Sequence, residues 1–170
     1  MSYCSYCKSL DVSNIHRIYH DTEYGKKVTS DQVLFERFCL EIFQAGLSWD
    51  IILKKRTFFR DAFSSFNIEI VANFSEIDIQ RLLANSKIVR HRIKILSIIF
   101  NAQKILQIQQ EFGSFYHWLI INERKTMDDW TKLLKKNFKF VGTVIAAEFL
   151  KSAGLFPGAH DQNCYLKHTE

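Results

Sequence analysis

Glu41 is the residue of this sequence best placed to do chemistry. It sits in an otherwise apolar stretch, LFERFCLEIFQAGLSW at 34–49, that ends in a turn and an indole. On a helical wheel of about 3.6 residues per turn, Leu34, Phe35, Phe38, Cys39, Ile42, Phe43 and Ala45 share one broad arc, while Arg37 and Gln44 lie opposite. Glu41 falls at the border of that arc, where a carboxylate can look into a cavity. Gly46 then stops the helix, Leu47 follows, and Ser48 is suited to cap a second helix whose first turn carries Trp49 and Asp50. An acid that attracts cations and accepts from amines, a bare backbone, an aliphatic tip and an electron-rich ring are thereby gathered around one turn. The same pattern also fits a solvated acid paired with Arg37 and a tryptophan buried in the core.

A second chemistry is suggested by the chain ends. His160 and Cys164 are spaced H-x3-C and Cys4 and Cys7 are spaced C-x2-C, each pair close enough to share one ion. Four such ligands would make a structural zinc stapling the N-terminus to the C-terminus. On the residues alone the set is Cys4, Cys7, His160 and Cys164, with His20 competing for a place; four unrelated polar residues are the alternative. Cys39, on the apolar arc, is read as core. A third feature is the basic run Arg90, His91, Arg92 and Lys94, which follows a break in the helical pattern and opens a long helix. Free N–H groups and the positive dipole end of a helix start suit a phosphate, although a solvated basic turn has the same composition.

The elements that must position these residues are helices. Besides those at about 30–45 and 48–63, the pattern predicts helices at 67–73, at 76–84 behind a Ser75/Asp78 capping box, and a long one to about Glu111 after the break at 85–94. Others are predicted at 114–122, at 126–136 behind Thr126 and Asp129, and at 142–152, closed by Gly154. Residues 1–28 lack sustained periodicity and are read as an ordered arm or short helices, and 155–170 as irregular. No strand alternation, repeat or linker is visible, so an all-α fold and a single domain over 1–170 are expected, with 1–28 and 155–170 joined in a zinc-stapled subdomain.

Composition agrees with ordinary globular material: 47% hydrophobic and 24% charged residues in a chain of 170. The formal net charge of +5 suits a nucleic-acid partner without requiring one. No apolar run reaches the roughly 18 residues of a membrane span, and MSYCSYCKSL lacks a secretory leader, so no membrane contact and a cytoplasmic location are expected. Four Cys in a reducing compartment are thiols or metal ligands before they are disulfides.

Six co-linear segments spanning nearly the whole chain then carry a resemblance. They are YHDTEYG at 19–25, FCLEIFQAGLSW at 38–49, LKKR at 53–56, IVRHRIKI at 88–95, FKFVGT at 138–143 and GLFPGAHDQNC at 154–164. Together they resemble the type I 3-methyladenine DNA glycosylases, helix-hairpin-helix enzymes with a zinc site. A monomer is expected, and the resemblance implies a monofunctional enzyme that flips 3-methyladenine out of alkylated double-stranded DNA and hydrolyses its N-glycosidic bond. It implies one structural zinc on Cys4, His20, His160 and Cys164, with His20 in the place the spacing gave to Cys7. It further implies that Glu41 and Tyr19 hydrogen-bond the base, with Glu41 the catalytic group, that Trp49 and Tyr6 stack on it, and that Leu47, beside Gly46, fills the space it leaves. Arg90, Arg92 and Lys94 would face the DNA. Three departures from the family pattern stand out: Lys87 where a hairpin Gly is usual, a short segment between Trp118 and Lys132, and Tyr24 in place of Trp. They leave a second expectation open, a catalytically silent relative that binds damaged DNA or the free alkylated base.

Overall fold

The computed structural model of the chain describes residues 2–168. In chain order its helices are α1 (Tyr3–Ser9), α2 (Ile15–Thr22), α3 (Asp31–Gln44), α4 (Trp49–Ala62), α5 (Ile68–Ala72), α6 (Glu76–Ala84), α7 (Arg92–Phe112), α8 (Phe115–Ile121), α9 (Met127–Asn137) and α10 (Thr143–Ser152). Among the described residues there is no strand, as the sequence pattern predicts. No described helix is long and apolar enough to cross a membrane.

Local chemistry sets the helix starts. Ser30, Ser48, Asn67, Ser114 and Thr126 each turn a side-chain oxygen onto a backbone N–H of the first turn that follows, and Ser75 with Asp78 forms the expected capping box. The arm at 1–28 resolves into α1 and α2, capped by Ser2 and Asn14. Asp31, in the first turn of α3, also receives the backbone N–H groups of Phe115 at 2.8 Å and Tyr116 at 2.9 Å, which ties α8 to α3.

The core is built on α3, which packs against α4, α7, α8 and α10. Its walls are aromatic: Phe43 stacks on Phe59 with centroids 4.4 Å apart, and Phe38 lies 4.9 Å from Phe149. Every α3 residue from Leu34 to Phe43 is buried. The wheel placed Arg37 on a polar face, and here the structure differs, because neighbours cover α3 on all sides. Arg37 donates to the Ser152 carbonyl at the end of α10. Beside it, Glu36 accepts from Arg56 at 2.7 Å and Arg60 at 2.8 Å, and Arg56 also reaches Glu23 at 2.7 Å. Buried charges persist when paired and hydrogen-bonded in this way. The network holds α2, α3 and α4 together below the turn at Gly46.

Candidate active site

That turn and its neighbours enclose a cavity of about 240 Å³ lined by Tyr3, Tyr19, Tyr24, Glu41, Gln44, Trp49 and Glu148. These side chains are delivered by five helices and the chain just beyond α2, with α3 supplying two of them. Glu41 and Gln44 come from the last turn of α3, Trp49 opens α4, Tyr19 lies on α2, Tyr24 just beyond it, Tyr3 on α1 and Glu148 on α10. Gly46 makes the reversal between α3 and α4 with φ +82°, a left-handed conformation costly for other residues. A Cβ there would meet nothing within 4 Å, so conformation, not space, demands glycine. The aromatic walls stand close: Tyr19 and Trp49 rings are 5.3 Å apart, and Tyr3 meets Tyr24 edge-on at 5.5 Å.

Glu41 is 6% exposed. Burial, and then the nearby Glu148 carboxylate, push its pKa up to about 8 against the opposing pull of Arg37. Burial followed by the charge of Glu41 raises the Tyr19 phenol. A titration signature follows. A carboxyl whose folded pKa lies above its unfolded one takes up a proton on folding. From the ordinary value of 4.5 to about 8 the folded chain holds the extra proton at Glu41. Its contribution to stability therefore falls as pH rises through that window, by up to about 1.4 kcal/mol per pH unit, and levels off above it. Urea denaturation of the ligand-free protein across pH 5–9 is expected to show this slope, and Glu41→Gln to lose it.

Tyr3 is fixed from behind. Its hydroxyl lies 3.2 Å from His16 Nδ1, and His16 Nε2 lies 3.3 Å from Asp50 Oδ1. Tyr6 does not line the cavity. The inner face of α1 is set by Cys4 and Cys7, and Tyr6, 39% exposed, packs its ring edge-on to His16 at 5.5 Å instead. The resemblance gave the stacking place to Tyr6, and the structure puts Tyr3, three residues earlier on α1, in the cavity lining instead. Sequence reasoning also missed Glu148, whose one signal was an acid inside the apolar run VIAAEFL.

A wider groove of about 630 Å³ adjoins the cavity and shares Glu41 and Gln44 with it. Its rim carries Gly46 and Leu47 on one side and 142–145 on the other. Leu47 is exposed at that rim. Arg90 and Arg92, in and after the turn 85–91 between α6 and α7, are exposed too, and Arg92 pairs with Glu76 at 3.0 Å. The turn is pinned by Ile88, buried in the core, and by Lys55 Nζ donating to the Lys87 carbonyl at 2.8 Å.

Lys94 does not face outward as expected. It is 3% exposed, and its ammonium donates to the carbonyls of Phe43 at 2.9 Å and Ala45 at 2.6 Å. Those carbonyls end α3 and have no intrahelical donor, so Lys94 serves as an internal C-cap that holds the Gly46 turn. Lys94→Met is expected to cost about 1–3 kcal/mol in urea denaturation and to leave the salt dependence of DNA binding unchanged. Loss of a phosphate contact would instead lower the salt slope by about one.

Next to Tyr19 on α2, His20 joins Cys4, His160 and Cys164, and the four bring one donor atom each within 4.8 Å of one another. The donor set, two thiols and two imidazoles, is that of a closed tetrahedral zinc site. Each imidazole is oriented by its other nitrogen: His20 Nδ1 lies 2.8 Å from Asp21 Oδ1, and His160 Nε2 lies 2.9 Å from the Tyr24 carbonyl. His20 Nε2 and His160 Nδ1 are thereby turned toward the sulfurs, the arrangement metal-binding histidines adopt. Cys7 lies outside the group, its thiol donating to the His16 carbonyl at 3.6 Å, because the next turn of α1 carries it past the cluster.

Comparison with known proteins places this geometry. The family model described as Methyladenine glycosylase matches residues 9–168. The chain is 38% identical to DNA-3-methyladenine glycosylase 1 of Escherichia coli (strain K12) over 168 residues, covering 88% of this chain and 90% of that protein. It is 34% identical to the DNA-3-methyladenine glycosylase of Haemophilus influenzae, over 95% of this chain and 97% of that one. A structure solved to give the structural basis of 3-methyladenine recognition by the Staphylococcus aureus 3-methyladenine DNA glycosylase I superposes with a TM-score of 0.83. That pair is 33% identical, over 96% of this chain and 97% of that one.

Proposed function

The chain belongs to the methyladenine glycosylase family, and on that premise we propose that it excises 3-methyladenine from alkylated DNA by hydrolysing the N-glycosidic bond. The observation that carries the reading is the buried acid Glu41 in a small cavity walled by Tyr3, Tyr19, Tyr24 and Trp49. Methylation at N3 makes the adenine cationic and its glycosidic bond weak, so the base is already a good leaving group. What remains is to remove it from the stack and hold it. A cation gains from electron-rich rings and from a carboxylate in a low-dielectric site, and a neutral adenine gains less from both. Its arrival beside Glu41 favours the ionised carboxylate, so binding near neutral pH releases a proton to solvent. Glu41 binds and polarises the base, Tyr19 hydrogen-bonds it, and water from the groove is the nucleophile. No lysine lines the cavity among the described residues, in keeping with a monofunctional enzyme that forms no Schiff base.

The duplex lies along the groove in this reading. Leu47 fills the gap left by the flipped base, Gly46 lets the backbone approach, and the α6–turn–α7 hairpin grips phosphates through Arg90 and Arg92. The hairpin is read as the helix-hairpin-helix element. Lys87, with its neighbour Lys55, supplies side-chain charge where a glycine would supply backbone. One zinc, held by Cys4, His20, His160 and Cys164, ties the two ends of the chain behind the pocket wall formed by α1 and α2. The protein acts as a monomer.

The test is incubation with methylated duplex DNA, followed by chromatography of the free bases and alkali treatment of the strands. Free 3-methyladenine and abasic, uncut strands are expected. A folded sample that binds free 3-methyladenine but releases none from DNA would replace the enzyme by a base-binding module.

A further inference from the structure

Glu148 is the second acid of the pocket. It projects from the middle of α10 and lines the same cavity as Glu41. Its protein partners are weak: the Tyr24 hydroxyl donates to Oε2 at 3.5 Å, and Lys151 Nζ stands 3.8 Å from Oε1. An i,i+3 pair at that distance contributes little and leaves acceptor capacity on both oxygens. Glu41, 6% exposed, receives no hydrogen bond from any described residue, so an almost fully buried polar group also looks into the cavity without a partner. No Lys, Arg or His is among the residues lining the cavity. Two carboxyls and four aromatic rings therefore meet around a space that holds no compensating cation.

Like charges sharing one site repel, and a positive ligand between them removes that cost while a neutral one does not. From this arrangement we propose that Glu148 is a second specificity-determining residue of the base pocket, setting its preference for a cationic purine over a neutral purine of the same shape. The proposal rests on the reading that the pocket takes an alkylated adenine, and it assigns part of the charge selection to α10 as well as to α3. Glu148 also acts on Glu41. After burial it is the largest influence raising the Glu41 carboxyl, while Arg37 on the same helix opposes it; the other titratable groups facing the pair are the Tyr3, Tyr19 and Tyr24 phenols and, beside Glu148, the Lys151 ammonium. Removing Glu148 therefore lets Glu41 ionise at lower pH.

The experiment compares two probes by the change in tryptophan fluorescence of the full chain, in which Trp49 is the tryptophan that lines the cavity: 3,9-dimethyladeninium, whose two ring methyls fix its positive charge, and neutral 9-methyladenine. The parent is expected to prefer the cation. In Glu148→Gln the affinity for the cation falls about tenfold and that for the neutral probe by less than about twofold. The pH midpoint of cation binding moves to lower pH, and Glu148→Asp restores much of the preference. An equal loss for both probes with an unmoved midpoint, as a packing defect would give, overturns the proposal. So does an unchanged preference in Glu148→Gln when the parent prefers the cation, which leaves the proposed function standing. A parent that does not prefer the cation overturns the cationic-base reading itself, and the role of Glu148 falls with it.

Discussion

Glu41→Gln is expected to slow single-turnover release of 3-methyladenine from duplex DNA by about 10²-fold, the scale seen when one preorganised electrostatic contact is removed from a buried site. Before flipping, the base is stacked in the duplex and touches nothing in the pocket. Every interaction gained in the cavity therefore counts toward the barrier, so the loss appears in the rate at saturating protein as well as in affinity. Glutamine keeps the shape and one acceptor oxygen but not the charge, and a cationic base is the ligand most sensitive to that difference. The fold is not at risk. Glu41 is held with its pKa raised to about 8, so above neutral pH the parent bears the cost of a buried anion that the variant lacks. The variant should therefore be at least as stable as the parent at pH 8. Slow release from a more stable protein separates loss of the pocket's charge from loss of structure. Unchanged release by Glu41→Gln would remove Glu41 from the chemistry.

The second large effect is expected at the chain ends. Cys164 is 1% exposed and its sulfur lies 3.5 Å from His160 Nδ1 and 3.7 Å from His20 Nε2. With zinc in place, Cys164→Ser leaves three ligands and a buried hydroxyl in a cluster built for thiolates. Apparent binding energies of structural zinc sites run to roughly 10 kcal/mol, and even a third of that lowers the melting temperature of a domain of this size by about 10 °C. Metal analysis of the purified parent should give one zinc per chain. Cys164→Ser and His20→Ala should fall well below one, and Cys7→Ser should keep the full complement, since Cys7 sits outside the cluster. A parent free of metal and unaffected by chelator would overturn the zinc assignment. Because α1 and α2 carry Tyr3 and Tyr19, loosening the staple should also weaken base binding.

What the sequence made legible was local. The cap at Ser48, the stop at Gly46, the capping box at Ser75 and the break before α7 each depend on residues within a turn of one another, and these positions hold in the structure. The apolar arc of α3 was also readable, and with it the placement of Glu41 beside a turn that ends in Trp49. What was hidden depends on contacts between distant elements. A helical wheel gives the angle of Arg37 about its own axis but not that α10 ends against it, so a buried hydrogen-bonded guanidinium was read as a surface charge. Lys94 was read as a basic helix start for the same reason, since its true partners lie about fifty residues earlier, at Phe43 and Ala45. Glu148 and Tyr3 join the pocket only because α10 and α1 close over α3 from opposite ends of the chain. Among the metal candidates, spacing favoured Cys7. In three dimensions it is His20, which no short motif links to the C-terminal pair, that lies with Cys4, His160 and Cys164.

The most direct measurement is single-turnover excision from a duplex carrying one 3-methyladenine, with parent and Glu41→Ala run side by side on samples matched for folding and metal content. The expected result is 3-methyladenine free in solution with an abasic, uncut strand for the parent, and release about 10² to 10³ times slower for the variant. Equal release by both proteins, or release by neither, would contradict the assignment of the pocket as the site of base excision.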